Sequence, residues 1–170
     1  GNVAQHAVEK IHHLGGKAIT LSDSSGFIHD PEGIGPERLE FVKELKNVQR
    51  GRLDSYAEEF GVEYHPGERP WRVPADLAFP CATQNEISLE DAGVMIENGI
   101  QGVSEGANMP TDQEGIHAFT RARIPFAPSK AANAGGVAVS GLEMSQNSAR
   151  ITWEEEELQN LLRNIMSGIH

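Results

Sequence analysis

The chain opens on Gly1-Asn2-Val3-Ala4, which has the form of the second half of G-x-G-x-x-A. A glycine turn at the start of a helix lets backbone amides approach a pyrophosphate. A glycine that only caps the helix is the other reading, and half a fingerprint does not choose between them. Asp23 follows near the offset of about 20 residues at which a carboxylate reaches a ribose. It fits a turn aspartate equally, because Asp23-Ser24-Ser25-Gly26 is an ordinary turn sequence. Ser24 can donate to a phosphate oxygen. Residues 46–52 then place three cations, Lys46, Arg50 and Arg52, in an otherwise acidic chain. They either grip an anion or solvate a helix end.

Three further groups combine small residues with amides: Ala82, Thr83 and Asn85; Gly106, Ala107 and Asn108; Lys130 and Asn133. Each follows a strand candidate, and ligands of open α/β sheets sit beyond the carboxyl ends of strands. Asparagine offers a donor and an acceptor to an amide or a ribose hydroxyl. It also caps helices and fixes turns, the reading preferred for Asn147. Ala134-Gly135-Gly136-Val137 opens a helix with two glycines, each costing about 1 kcal/mol there, which implies close packing against a ligand or another backbone. Cys81 reads as a small buried residue and not as a nucleophile. Neither the seven histidines nor Cys81 has metal-ligand spacing, so no metal site is expected.

The elements that must position these groups are legible as periodicities. Val3, Ala7, Ile11 and Leu14 mark a helix ended by Gly15-Gly16, before a short strand at 17–21. Pro36 begins a helix with Leu39, Val42 and Leu45 on one face. Gly51 breaks it, and a second helix covers 52–60. Strands are expected at 76–80, 102–104 and 124–127, the last demoted by Pro125 to an edge or an irregular strand. Ser88 with Asp91, and Thr111 with Glu114, have capping-box spacing before helices through Met95 and Phe119. Thr152, with Glu155, is expected to cap a helix whose apolar face is Leu158, Leu161, Leu162, Ile165, Met166 and Ile169. The alternation predicts an α/β fold: a Rossmann-like, doubly wound and mostly parallel sheet, truncated at its first strand, with C-terminal helices. Residues 1–150 form the nucleotide-binding domain and 151–170 a C-terminal helix. The helical start without a preceding strand suggests a chain cut inside a domain.

Composition narrows the partners. A net charge of −11 with no basic block disfavours nucleic acid and anionic membrane. A single cysteine excludes an intrachain disulfide framework and favours the cytoplasm. No apolar run approaches the roughly 20 residues that span a bilayer.

Several longer segments carry a resemblance. Pro80-Cys81-Ala82-Thr83-Gln84-Asn85-Glu86, Glu105-Gly106-Ala107-Asn108-Met109-Pro110 and Ala127-Pro128-Ser129-Lys130-Ala131-Ala132-Asn133-Ala134-Gly135-Gly136-Val137 resemble the glutamate dehydrogenase family. Leu142-Glu143-Met144-Ser145-Gln146-Asn147 and Pro70-Trp71 extend the match along the whole chain. Gln84-Asn85-Glu86 and Asn108-Met109-Pro110 favour the glutamate branch over the leucine and phenylalanine enzymes.

The resemblance implies reversible oxidative deamination of L-glutamate to 2-oxoglutarate and ammonia, with NADP as cofactor and NAD as the alternative. It implies that Ser24, Lys46 and Arg52 surround a 2′-phosphate, although Asp23 in that place would suit NAD. Gly1, Asn2, Val3, Ala82, Thr83, Asn85, Gly106, Ala107, Asn108 and Asn133 would complete the cofactor site. Val137 and Ser140 would face the amino acid, with the Ser140 hydroxyl on a substrate carboxylate; a hydroxyl bonded back along its own helix is the equal alternative. The family's catalytic lysine and aspartate match no position here and belong upstream of Gly1, so the isolated chain is expected to be inactive. The parent is expected to be a homo-hexamer. A non-catalytic nucleotide-binding or regulatory module, or another amino-acid dehydrogenase of the same fold, remains the alternative.

Overall fold

Two clusters of buried apolar side chains organise the computed structural model, which describes residues 1–169. The first cluster gathers Val8, Ile28, Ile34, Leu39, Val42, Leu45, Leu53 and Tyr56. Helix α1 (Asn2–His13) turns Gln5 and Val8 inward, and Lys10, His12 and His13 in its last turn suit the negative end of the helix dipole. Strands β1 (Thr20–Asp23) and β2 (Gly26–His29) form an antiparallel hairpin, and β3 (Glu63–Pro66) pairs antiparallel with β2. Gly26 is required by space: a Cβ there would stand 2.3 Å from the His65 carbonyl oxygen. Helix α2 (Pro36–Lys43) begins at Pro36 and runs into a π-helical turn, Glu44–Val48. Helix α3 (Asp54–Phe60) ends at Gly61 in the left-handed region.

The second cluster gathers Ala78, Ile87, Ala92, Met95, Ile100, Val103 and Phe119. It lies under a parallel sheet of order β4 (Leu77–Ala78), β5 (Gly102–Ser104) and β6 (Phe126–Ala127). Helices α4 (Leu89–Glu97) and α5 (Gln113–Arg121) connect these strands, as parallel pairing demands. Helix α6 (Ser129–Ala132) leads to α7 (Ala134–Ala149) and α8 (Glu155–Ile169), neither of which contains a fully buried residue. No helix among the described residues is long and apolar enough to cross a membrane.

The fold is mixed α/β, and three differences from expectation have local causes. One mostly parallel sheet was expected; the chain forms two three-stranded sheets, and only the second is parallel. The 24–25 turn is too short for a parallel crossover, so β1 must return antiparallel. The strand expected at 17–21 lies at Thr20–Asp23, where the ladder with β2 begins. The Ser88–Asp91 capping box forms as expected, but α5 is capped by Asp112, whose carboxylate accepts from the Gly115 amide at 2.6 Å. Thr111 is instead buried, and its amide donates to Glu105; α8 likewise starts only at Glu155, so Thr152 does not cap it and the Glu154 amide donates to the Glu157 carboxylate at 3.2 Å.

Candidate functional site

Most of the sequence-predicted groups lie at or just beyond the carboxyl end of a strand or at a helix start; Lys46 comes from the π-helical turn, Arg52 from the loop before α3, and Val137 and Ser140 from within α7. At the end of β1, the Asp23 carboxylate is fully engaged. One oxygen accepts from the Ser25 amide at 2.8 Å and the Ser25 hydroxyl at 2.6 Å. The other accepts from Lys46 Nζ at 2.8 Å and the Leu53 amide at 3.2 Å. Burial alone would raise its pKa; the bonds from Lys46 and Ser25 outweigh that and hold it at about 2, against an ordinary 3.8. Lys46 Nζ also donates to the Gly51 carbonyl at 2.8 Å. The exposed Arg52 guanidinium donates to the Ser24 hydroxyl at 3.4 Å. Ser24, Lys46 and Arg52 therefore meet around one strand end, two cations against one neutralised carboxylate.

Gly1 is the N-cap of α1 and no side chain caps the first turn, so its outward amides are free for phosphate oxygens. Gly106, after β5, comes within close reach of this turn. A Cβ on Gly106 would stand 2.6 Å from Cys81 Sγ and 3.1 Å from Val3 Cγ1. Gly106 is thus required by close packing of the loop after β5 against Cys81 and the first turn of α1. The amides of Gly106 and Ala107 both donate to the Pro80 carbonyl at 3.0 Å, tying the loops after β4 and β5 together. Asn133 closes the group, donating through Nδ2 to the Ala107 carbonyl at 2.9 Å.

Asn85 has φ 53°, and its amide donates to the carbonyl of Met109, itself at φ 49°. Two non-glycine residues held in the left-handed region mark a constrained loop pair beside exposed Ala82, Thr83 and Asn108. Val137 is 78% exposed, and Ser140 donates to the Gly136 carbonyl of its own helix at 3.3 Å. These two stand apart from the other candidates and take no bond from them. Cys81 is half-buried, and burial together with the Glu86 charge pushes its thiol up to about 11, which disfavours a nucleophilic thiolate.

The two sheets also share a cleft of about 650 Å³. Its walls include Ala4, Ala7 and Val8 of α1, Thr20 and Leu21 of β1, and Leu77 and Ala78 of β4. β1 and β4 are each the outer strand of their sheet on this side, so both present an unpaired edge to it.

The Glutamate/Leucine/Phenylalanine/Valine dehydrogenase profile matches residues 1–170. The chain belongs to this dehydrogenase family. It is 56% identical over its full length to the NAD(P)-specific glutamate dehydrogenase of Xylanibacter ruminicola, and 54% identical to the NADP-specific glutamate dehydrogenase of Haemophilus influenzae. It spans 38% of the length of each. Among solved structures it matches Plasmodium falciparum glutamate dehydrogenase with a TM-score of 0.95 and 48% identity, over 99% of this chain and 36% of that one.

In this dehydrogenase-family chain, several supporting residues carry no signal of their own in the sequence. Glu105 is buried and accepts from the Thr111 amide at 3.2 Å and the Ser129 amide at 2.7 Å, which fixes the 106–110 loop to the start of α6. Glu86 accepts from the Ala82 amide at 2.9 Å, and its carbonyl takes Arg69 and Trp71 at 2.7 and 2.9 Å. Burial raises the Glu86 pKa, while the Ala82 and Thr83 amides and Arg69 hold it back.

Proposed function

We propose that the chain is the dinucleotide-binding part of a glutamate dehydrogenase that interconverts L-glutamate with 2-oxoglutarate and ammonia. The observation that carries the cofactor half of this reading is the Asp23–Lys46 pair beside Ser24 and Arg52. With its oxygens committed to Lys46, Ser25 and Leu53, Asp23 is drawn away from a ribose diol. Its charge is balanced, so a 2′-phosphate meets Ser24, Arg52 and the third N–H of Lys46, whose other two go to Asp23 and Gly51, without net repulsion. NADP is therefore the preferred cofactor and NAD the alternative. NADP-specific relatives at about half identity support this.

The α1 N-terminus, Gly1, Asn2 and Val3, would take the pyrophosphate. Ala82, Thr83, Asn85, Gly106, Ala107, Asn108 and Asn133 would flank the nicotinamide end, and Val137 and Ser140 would meet the amino acid. The bound cofactor supplies the hydride chemistry; this chain binds it, orients it and holds its faces apart from water. We read residues 1–150 as a Rossmann-like domain and 151–170, of which His170 lies outside the described residues, as a C-terminal segment whose helix returns toward the catalytic domain. The cleft between the free edges of β1 and β4 supports that reading, because one added strand there would join the two sheets into one. The complete enzyme is read as a cytoplasmic homo-hexamer.

The test is the substrate profile of the complete enzyme. Glutamate-dependent reduction of NADP should exceed the rates with leucine, phenylalanine or valine. A preference for a branched or aromatic amino acid would move the chain to another branch of its family.

A further inference from the structure

Gln5 and Asn47 form a reciprocal amide pair. Gln5 Nε2 donates to Asn47 Oδ1 at 3.1 Å, and Asn47 Nδ2 donates to Gln5 Oε1 at 3.0 Å. Gln5 is 5% exposed and lies one turn into α1; its own amide bonds the carbonyl of the N-cap, Gly1. Asn47 belongs to the π-helical turn, where the Gln49 amide reaches back five residues to the Glu44 carbonyl. The turn presents adjacent residues to different neighbours: Lys46 turns to Asp23 and Asn47 turns to α1. A π-turn inside a helix is costly and recurs at functional positions.

The clasp thus joins the element that presents the free helix N-terminus to the element that presents Lys46. We propose that Gln5 and Asn47 are positioning residues that fix the spacing between the pyrophosphate and 2′-phosphate subsites, so that one dinucleotide engages both at once. The inference rests on the NADP reading above. Two linked subsites gain affinity only when their separation matches the ligand, and two parallel amide bonds restrict that separation in a way one bond does not. Neither residue touches the cofactor in this account.

The test uses the complete enzyme, Asn47→Ala, and Gln5→Met as a second variant that leaves no unpaired buried amide. Binding is titrated with NADP⁺, which spans both subsites, with NAD⁺, which lacks the 2′-phosphate, and with 2′-AMP, which reaches only the Ser24–Lys46–Arg52 group. The NADP⁺ dissociation constant should rise about tenfold in both variants, while those of 2′-AMP and NAD⁺ stay within about twofold of wild type. Parallel weakening of all three ligands, as from local unfolding, overturns the proposal, and so does unchanged NADP⁺ binding in both variants. If wild type binds 2′-AMP no better than 5′-AMP, the 2′-phosphate reading itself falls and the clasp falls with it.

Discussion

Lys46 Nζ lies 2.8 Å from Asp23 Oδ2 and is the charge that lets a carboxylate sit at the end of β1 beside a candidate phosphate site. The pair has a pH signature. The folded carboxyl titrates at about 2, below the ordinary 3.8, so its stabilisation is fully present above about pH 4 and is lost as pH falls toward 2. Wild type should resist urea better than Asp23→Asn at pH 5, by on the order of 1–2 kcal/mol, and that advantage should shrink to nothing near pH 2. An advantage independent of pH in this range would mean that Asp23 acts through shape and not through charge.

Gly106 owes its identity to space. Alanine there must displace Cys81 or Val3, and overpacking of this kind costs about 1–3 kcal/mol. Because Val3 belongs to the first turn of α1, Gly106→Ala should raise the constants for NADP(H) and NAD(H) by similar factors. Melting of the complete enzyme and cofactor titrations check this together. A loss confined to one cofactor would place the strain near the 2′-phosphate group instead.

Ser140 is exposed and bonded to Gly136 at 3.3 Å, a long contact that its hydroxyl can exchange for a ligand. If it meets the substrate carboxylate, Ser140→Ala should weaken kcat/KM for glutamate by about 1–3 kcal/mol and leave cofactor binding unchanged. Glutamate kinetics equal to wild type would return the hydroxyl to its role within α7.

The parts legible in the sequence are those set by local rules. Pro36 at a helix start, the Ser88–Asp91 box and the α8 apolar face depend on neighbours within a few residues. The parts that escaped depend on distant partners. β3 is only four residues long, with its end residues exposed, and gains its place by pairing with β2. Asp112 displaced Thr111 as a cap because Thr111 is drawn into the core beside Glu105. At the site, Asp23, Ser24, Lys46 and Arg52 were visible as types. That Lys46 neutralises Asp23 was not, because a contact across 23 residues is set by how distant elements pack. Glu86, Glu105 and the Gln5–Asn47 pair had no pattern that separates an inward polar side chain from a solvated one.

If Lys46 belongs to a 2′-phosphate clamp, steady-state kinetics of Lys46→Glu in the complete enzyme will separate the two cofactors. The substitution replaces the cation with a second carboxylate next to Asp23, and each lost charge-assisted bond is worth about 1.5–3 kcal/mol. The apparent constant for NADP(H) should rise at least about tenfold while that for NAD(H) stays nearly unchanged. Equal weakening of both cofactors, or of neither, would contradict the clamp and make Asp23 a determinant of NAD.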